Sequence, residues 1–304
     1  MIRGFLENSS PFLKFLFFLF VTLFSFFAVF LLGITIAVMI WDSNIFSILT
    51  NPTFSENQIS ALKFLQSVQT VALFLVPSFL LAFCVDKKPF SFLKIDKKPN
   101  IRSIILILIA FFVSFPIINF LVELNSKLHL PESLKHFEEW MKNSELNAQK
   151  ITDSFLKADS FSEMLVNLLI IAVLPAICEE LFFRGILQKI FTQWTNNLHF
   201  GIFITAILFS ALHLQFYGFI PRMLLGIYFG YLLIWSQTLW LPIISHFINN
   251  GVSVILFYFF QNQNLENQAD TIGTSSQWYI SVMAAILFGF LCLQIYRNEK
   301  NLKM

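Results

Sequence analysis

The sequence predicts an all-α membrane protein, a polytopic helical bundle of about eight transmembrane helices. Three observations carry that reading. The 304 residues are 57% hydrophobic and 12% charged, where a typical soluble domain has about 25% charged residues. Forty residues are Phe, more apolar surface than one soluble core of this length can hide, so the bilayer must act as part of the solvent. The apolar residues also fall in continuous runs without alternation, which favours helices over a β-barrel.

A spanning helix needs about 20 mostly apolar residues. The runs that qualify are Phe15–Trp41, Phe64–Val85, Ser103–Val122, Met164 to Trp194, Leu198 to Phe219, Met223–Trp240, Leu241–Phe260 and Trp278–Tyr296. The first is uncharged, far too long for a signal-peptide core and followed by no small-x-small cleavage site, so it reads as a retained, tilted span. Pro242 marks the boundary between the sixth and seventh runs, since proline fits the first turn of a new helix. Pro221 does the same before the sixth. Residues 1–122 thus form an N-terminal three-span region, 123–163 a polar surface segment, 164–260 a four-span core, and 261–304 a last span with its tail.

Charge sets orientation. Segment 86–102 carries Lys87, Lys88, Lys94, Lys97, Lys98 and Arg102 against Asp86 and Asp96, an excess that predicts a cytoplasmic loop. Arg297, Lys300 and Lys303 put the C-terminus on the same side. With eight spans the N-terminus, with Arg3 and Lys14, joins them on the cytoplasmic side. In segment 123–163 Leu134, Phe137, Trp140 and Met141 recur at helical spacing, as in an amphipathic helix lying on the opposite membrane surface; a solvated linker is the alternative. The net charge of +2 and the lack of a basic, aromatic-laced cluster give no reason to expect a nucleic-acid partner. Membrane lipid is the partner the composition demands. Cys84, Cys178 and Cys292 sit in apolar runs without a CxxC pair and read as small hydrophobic fillers.

Titratable groups inside spans are costly and are functional candidates by default. Here they are Glu179, Glu180 and Arg184 in the fourth span, His213 in the fifth, and His246 with Asn250 in the seventh. Neighbouring helical residues point about 100° apart, so the two glutamates cannot share a direction. Glu180 and Arg184 stand at i, i+4 with the acid first, the favourable order for an ion pair. Glu179 is left to face the bundle interior. Pro175, four residues earlier, predicts a kink and a locally opened backbone. Phe209 lies one turn before His213 and can fix its ring. Taken singly, each group also fits interhelical packing. Together they form a chemical set: a carboxylate beside a neutral His binds and deprotonates water, while a second His and an Asn donate to a developing oxyanion.

Glu179-Glu180-x-x-x-Arg184, Phe209-x-x-x-His213 and His246-x-x-x-Asn250 resemble the three motifs of the CPBP intramembrane proteases. That family groups the type II CAAX prenyl endopeptidases with bacterial relatives linked to bacteriocin processing and immunity. The stretch Glu179–Leu187, and Gly226 to Asn250 with its Gly230-Tyr231 pair, carry the likeness, which covers roughly residues 130–260. The resemblance implies an intramembrane endopeptidase acting on a peptide or prenylated-protein substrate. In that role Glu179 and His213 activate water, His246 and Asn250 form the oxyanion site, and Glu180, Arg184 and Phe209 support them. No cofactor is required by that scheme. Two alternatives stay open. Glu179, His213 and His246 could instead be three zinc ligands with an open fourth position, although no HExxH is present. The chain could also be a non-catalytic immunity or adaptor protein whose polar residues are interhelical glue. A proton-coupled transporter is disfavoured by the lack of an internal repeat. The expected depths of His213 and His246 match only if helices tilt or the fifth begins inside a cavity.

Overall fold

In a computed structural model, residues 3–42, 55–127, 130–260 and 273–301 are described. Among them there is no strand. Nine long helices follow in order: α1 Pro11–Trp41, α2 Glu56–Val85, α3 Ile101–Ser126, α4 Lys135–Leu156, α5 Phe161–Thr195, α6 Leu198–Ala211, α7 Phe219–Ser236, α8 Trp240–Phe260 and α9 Trp278–Asn301. Seven of these, all but α4 and α6, are long and apolar enough to cross a membrane. The chain is a multi-pass helical membrane protein. Lys303, one of the residues in the orientation argument, lies outside the described residues.

The fifth expected span is corrected. Helix α6 has 14 residues and ends at Ala211, not Phe219, which makes it about 21 Å long at 1.5 Å per residue. A bilayer core is about 30 Å thick. Leu214 takes a left-handed φ of 53°, which no continuing helix tolerates. The sixth span also shifts: α7 begins at Phe219 and ends at Ser236, so Arg222 falls inside its first turn.

The site helices α5–α8 form the centre. α1 and α2 pack on one side, against α5; α3 and α9 pair on the other, against α7 and α8. Outward faces remain apolar, with Phe20 65%, Met39 80% and Ile286 70% exposed. Such surfaces are stable only against lipid. Inside, Phe183, Ile186, Leu233 and Leu239 are buried.

One end of the bundle is tied by the basic connection 86–100. Leu239 N donates to Lys94 O (2.9 Å), Thr238 Oγ1 to Lys97 O (2.8 Å) and Trp240 Nε1 to Ile95 O (3.0 Å). At the opposite end lies α4. The sequence left a helix or a solvated linker open there. It is a helix, and it packs on the 212–218 connection: Phe137 and Trp140 sit 6.2 and 5.5 Å from the Phe216 ring. Phe155 is buried beneath its C-terminal end.

Candidate active site

Helix α5 widens to π-helical turns at 168–173 and 181–187, a departure frequent at functional sites. The first has a visible cause. Pro175 has no N–H to give the carbonyl four residues back. That carbonyl, Ile171 O, accepts from Asn250 Nδ2 instead, at 3.2 Å. A helix defect on α5 therefore fixes a side chain on α8.

The expected Glu180–Arg184 pair is present, at 2.8 Å, with the two side chains 0% and 1% exposed. It does more than join two turns of one helix. Glu180 Oε1 also accepts from His246 Nδ1 at 2.9 Å, a partnership the sequence reading did not assign. Arg184 Nη2 donates to Gly226 O at 3.1 Å, and its guanidinium lies 4.5 Å over Phe209 and 5.3 Å over Phe229. One turn on, Gln188 Nε2 donates to Gly230 O at 3.3 Å. Both contacts need bare backbone on α7. A Cβ on Gly226 would lie 3.1 Å from Ala206 Cβ, and one on Gly230 2.8 Å from Ile202 Cγ2.

His213 sits in the first residues beyond α6, not within a span as expected. Its ring nevertheless packs on Phe209, centroids 5.1 Å apart, as the i, i+4 spacing predicts. Its Nδ1 is 2.8 Å from Phe209 O. A carbonyl only accepts, so Nδ1 carries the hydrogen and Nε2 is left with its lone pair. His246 lies face to face with Phe229, 5.3 Å and 19° apart. The depth mismatch resolves as a short fifth helix whose end, rather than whose middle, brings its histidine to the site.

Glu179, His213, His246 and Asn250 all line one cavity of about 870 Å³, together with Phe209. Glu180 and Arg184 stand behind it. Glu179 Oε2 is buried without a hydrogen-bond partner. Glu180 Oε2 is likewise without a partner, but of the two glutamates only Glu179 lines the cavity, where its free oxygen can take up water or substrate. Among the described residues no three His, Cys, Asp or Glu side chains are grouped to hold a metal ion. Arg222 and Asn249 also line the cavity and were missed. The apolar run of the sixth span starts at Met223, which places Arg222 one residue outside it.

Residues 161–252 match a protein-family model described as "Type II CAAX prenyl endopeptidase Rce1-like". The four-helix centre is similar to that family. The matched segment runs from the start of α5 to two residues past Asn250, so it contains every motif residue named above and is narrower than the 130–260 range of the sequence resemblance. A relative from Bacillus subtilis (strain 168), described as "Uncharacterized protein YpbD", is 28% identical over 90 residues, 28% of this chain and 43% of its own length. The chain thus aligns with less than half of that relative. No solved structure matches. The matched segment takes in α5, α6, α7 and the first part of α8, and α1–α4 and α9 lie outside it.

Proposed function

We propose that this protein is an intramembrane endopeptidase of the CPBP type, hydrolysing peptide bonds of membrane-associated or CaaX-like substrates with activated water and no covalent intermediate. The observation that carries the reading is convergence. Four polar side chains from three elements meet at one cavity, with Glu179 Oε2 unpartnered and His213 Nε2 holding a lone pair. Glu179 and His213 take up water between them. Glu179 accepts its proton as the oxygen adds to the scissile carbonyl. The oxyanion is received by the second Nδ2 hydrogen of Asn250, the first being given to Ile171 O, and by the Nε2–H of His246, whose Nδ1 shares a proton with Glu180 Oε1. Glu179 then passes the proton to the leaving amine as the C–N bond breaks. Phe209 and Arg184 position the two histidines. The protein works in a bacterial cytoplasmic membrane with both termini in the cytoplasm: seven long helices cross, the short α6 with the 212–218 connection makes the eighth passage back to the α4 side, and the basic 86–100 connection supports the orientation.

The test is hydrolysis of prenylated and plain peptides by the full chain in proteoliposomes, with and without phenanthroline. Wild-type cleavage that survives the chelator and falls at least 100-fold in His213→Ala is the expected result. Cleavage lost to chelator and restored by zinc would move the same residues into ligand roles. No cleavage of any peptide would favour the immunity or adaptor reading.

A further inference from the structure

Arg222 is a cation whose position the hydrolytic scheme does not explain. Among the described residues it is the single Lys or Arg lining the cavity, where it shares the wall with Glu179 and, on α4, Asp153. A charged side chain that a spanning helix turns into a cavity is a functional candidate by default. Arg222 is held in place by neutral oxygens only: Nη2 donates to Gln215 Oε1 at 2.6 Å and Nη1 to Gln215 O at 3.3 Å. Glu145 and Glu179 influence it through space, but no carboxylate of the described residues pairs with it within 4.0 Å. A guanidinium has five N–H donors in a planar fork. Gln215 engages two of them and so orients the plane, leaving three.

Gln215 belongs to the same 212–218 connection that carries His213, so the brace on Arg222 and the positioning of the water-activating histidine are one piece of chain. On α7, Arg222 stands one turn before Gly226, whose carbonyl anchors Arg184. That separation is about 6 Å of helix rise. A cavity of about 870 Å³ has the volume of a sphere about 12 Å across, the span of three to four extended residues.

Resting on the hydrolase reading above, we infer that Arg222 is a substrate subsite that binds a carboxylate, placing the peptide bond under attack within a few residues of that group. The fork geometry of a guanidinium matches a carboxylate in a way a single ammonium does not. The remaining wall of the cavity is apolar, with Phe115, Leu225 and Phe257 to receive the side chains between carboxylate and scissile bond. The carboxylate is the substrate's own C-terminus or an acidic side chain. Both present the same atoms, and the experiment separates them.

The test uses a fluorescent dodecapeptide with an apolar last tripeptide, in three forms: free acid, C-terminal amide, and amide with Asp as the last residue. Binding is measured to the full chain carrying Glu179→Gln, where turnover does not interfere, and cleavage is measured with wild type. The free acid is expected to bind at least tenfold more tightly than the plain amide. Arg222→Gln brings the two within twofold, while Arg222→Lys keeps part of the preference. Recovery of binding by the Asp-amide form assigns the carboxylate to a side chain; its failure assigns it to the C-terminus. Equal affinity for acid and plain amide overturns the inference, and this comparison does not depend on an Arg222 variant folding. Cleavage without acid preference leaves the hydrolase standing and removes the subsite. Acid preference without cleavage does the reverse.

Discussion

Glu179 and Glu180 are adjacent in sequence and each leaves Oε2 without a partner, but only Glu180 is tied to another helix, through Oε1, and only Glu179 lines the cavity. Glu180 is fully buried between Arg184 and His246; Glu179 presents an unpartnered oxygen at the cavity. Their variants should therefore separate. Glu180→Ala leaves a buried guanidinium uncompensated, which typically costs about 3–5 kcal/mol, and it releases the His246 ring. It is expected to lower both the thermal midpoint in detergent and any hydrolysis. A variant with wild-type melting would contradict the role given to Glu180. The i, i+4 pairing and the ring packing on His213 were legible in the sequence, because both follow from helical spacing alone. The Glu180–His246 bond was not, since it joins residues 66 apart through a helix crossing that no spacing rule fixes. Arg222 was missed for a different reason. Hydropathy placed a helix boundary at Met223, and the helix starts one turn earlier.

At the level of elements, two devices make the site possible. The first is the close approach of α7 to α6 and α5 at Gly226 and Gly230, which lets Arg184 and Gln188 reach backbone carbonyls. Gly226→Val puts branched carbon against Ala206 and Phe209. Overpacking of this kind costs about 1–3 kcal/mol, so a lowered unfolding midpoint is expected, with a smaller effect from Gly226→Ala. An unchanged midpoint for Gly226→Val would mean the helices are not so close. The second device is the Pro175 defect capped by Asn250. Asn250→Leu should lose hydrolysis about 100-fold, in line with loss of one oxyanion donor, and should also loosen α5. Faster amide exchange near Ile171 would report that loosening. Pro175 was readable as a kink; which side chain would satisfy the freed carbonyl was not. The short α6 was hidden as well, because apolar residues continue to Phe219 and only the backbone turn at Leu214 ends the helix.

For the whole molecule, the spanning helices were legible because lipid exposure writes itself as continuous apolar runs. The surface helix α4 was visible as a periodic pattern, yet its placement on the 212–218 connection depends on Phe216, which the pattern does not mention. The proposed topology makes a direct prediction. Cys introduced at Asp96 in the basic connection should be labelled by an impermeant maleimide only from the cytoplasmic face, and Cys at Lys142 on α4 only from the opposite face. Labelling of both from one face would contradict the assigned crossing of α3. In that orientation the cavity lies between a cytoplasmic rim tied by 86–100 and a cover formed by α4.

The most direct single measurement is paired: peptide hydrolysis and thermal unfolding of wild type and Glu179→Gln in the same proteoliposomes. An amide in place of the carboxylate removes the base while keeping its shape, and a general base contributes about 10²–10⁴-fold. The expected result is hydrolysis reduced within or beyond that range with an unchanged unfolding midpoint. Retained hydrolysis in Glu179→Gln, or a loss that merely follows a collapse in stability, would contradict a glutamate-activated water at the centre of this protein.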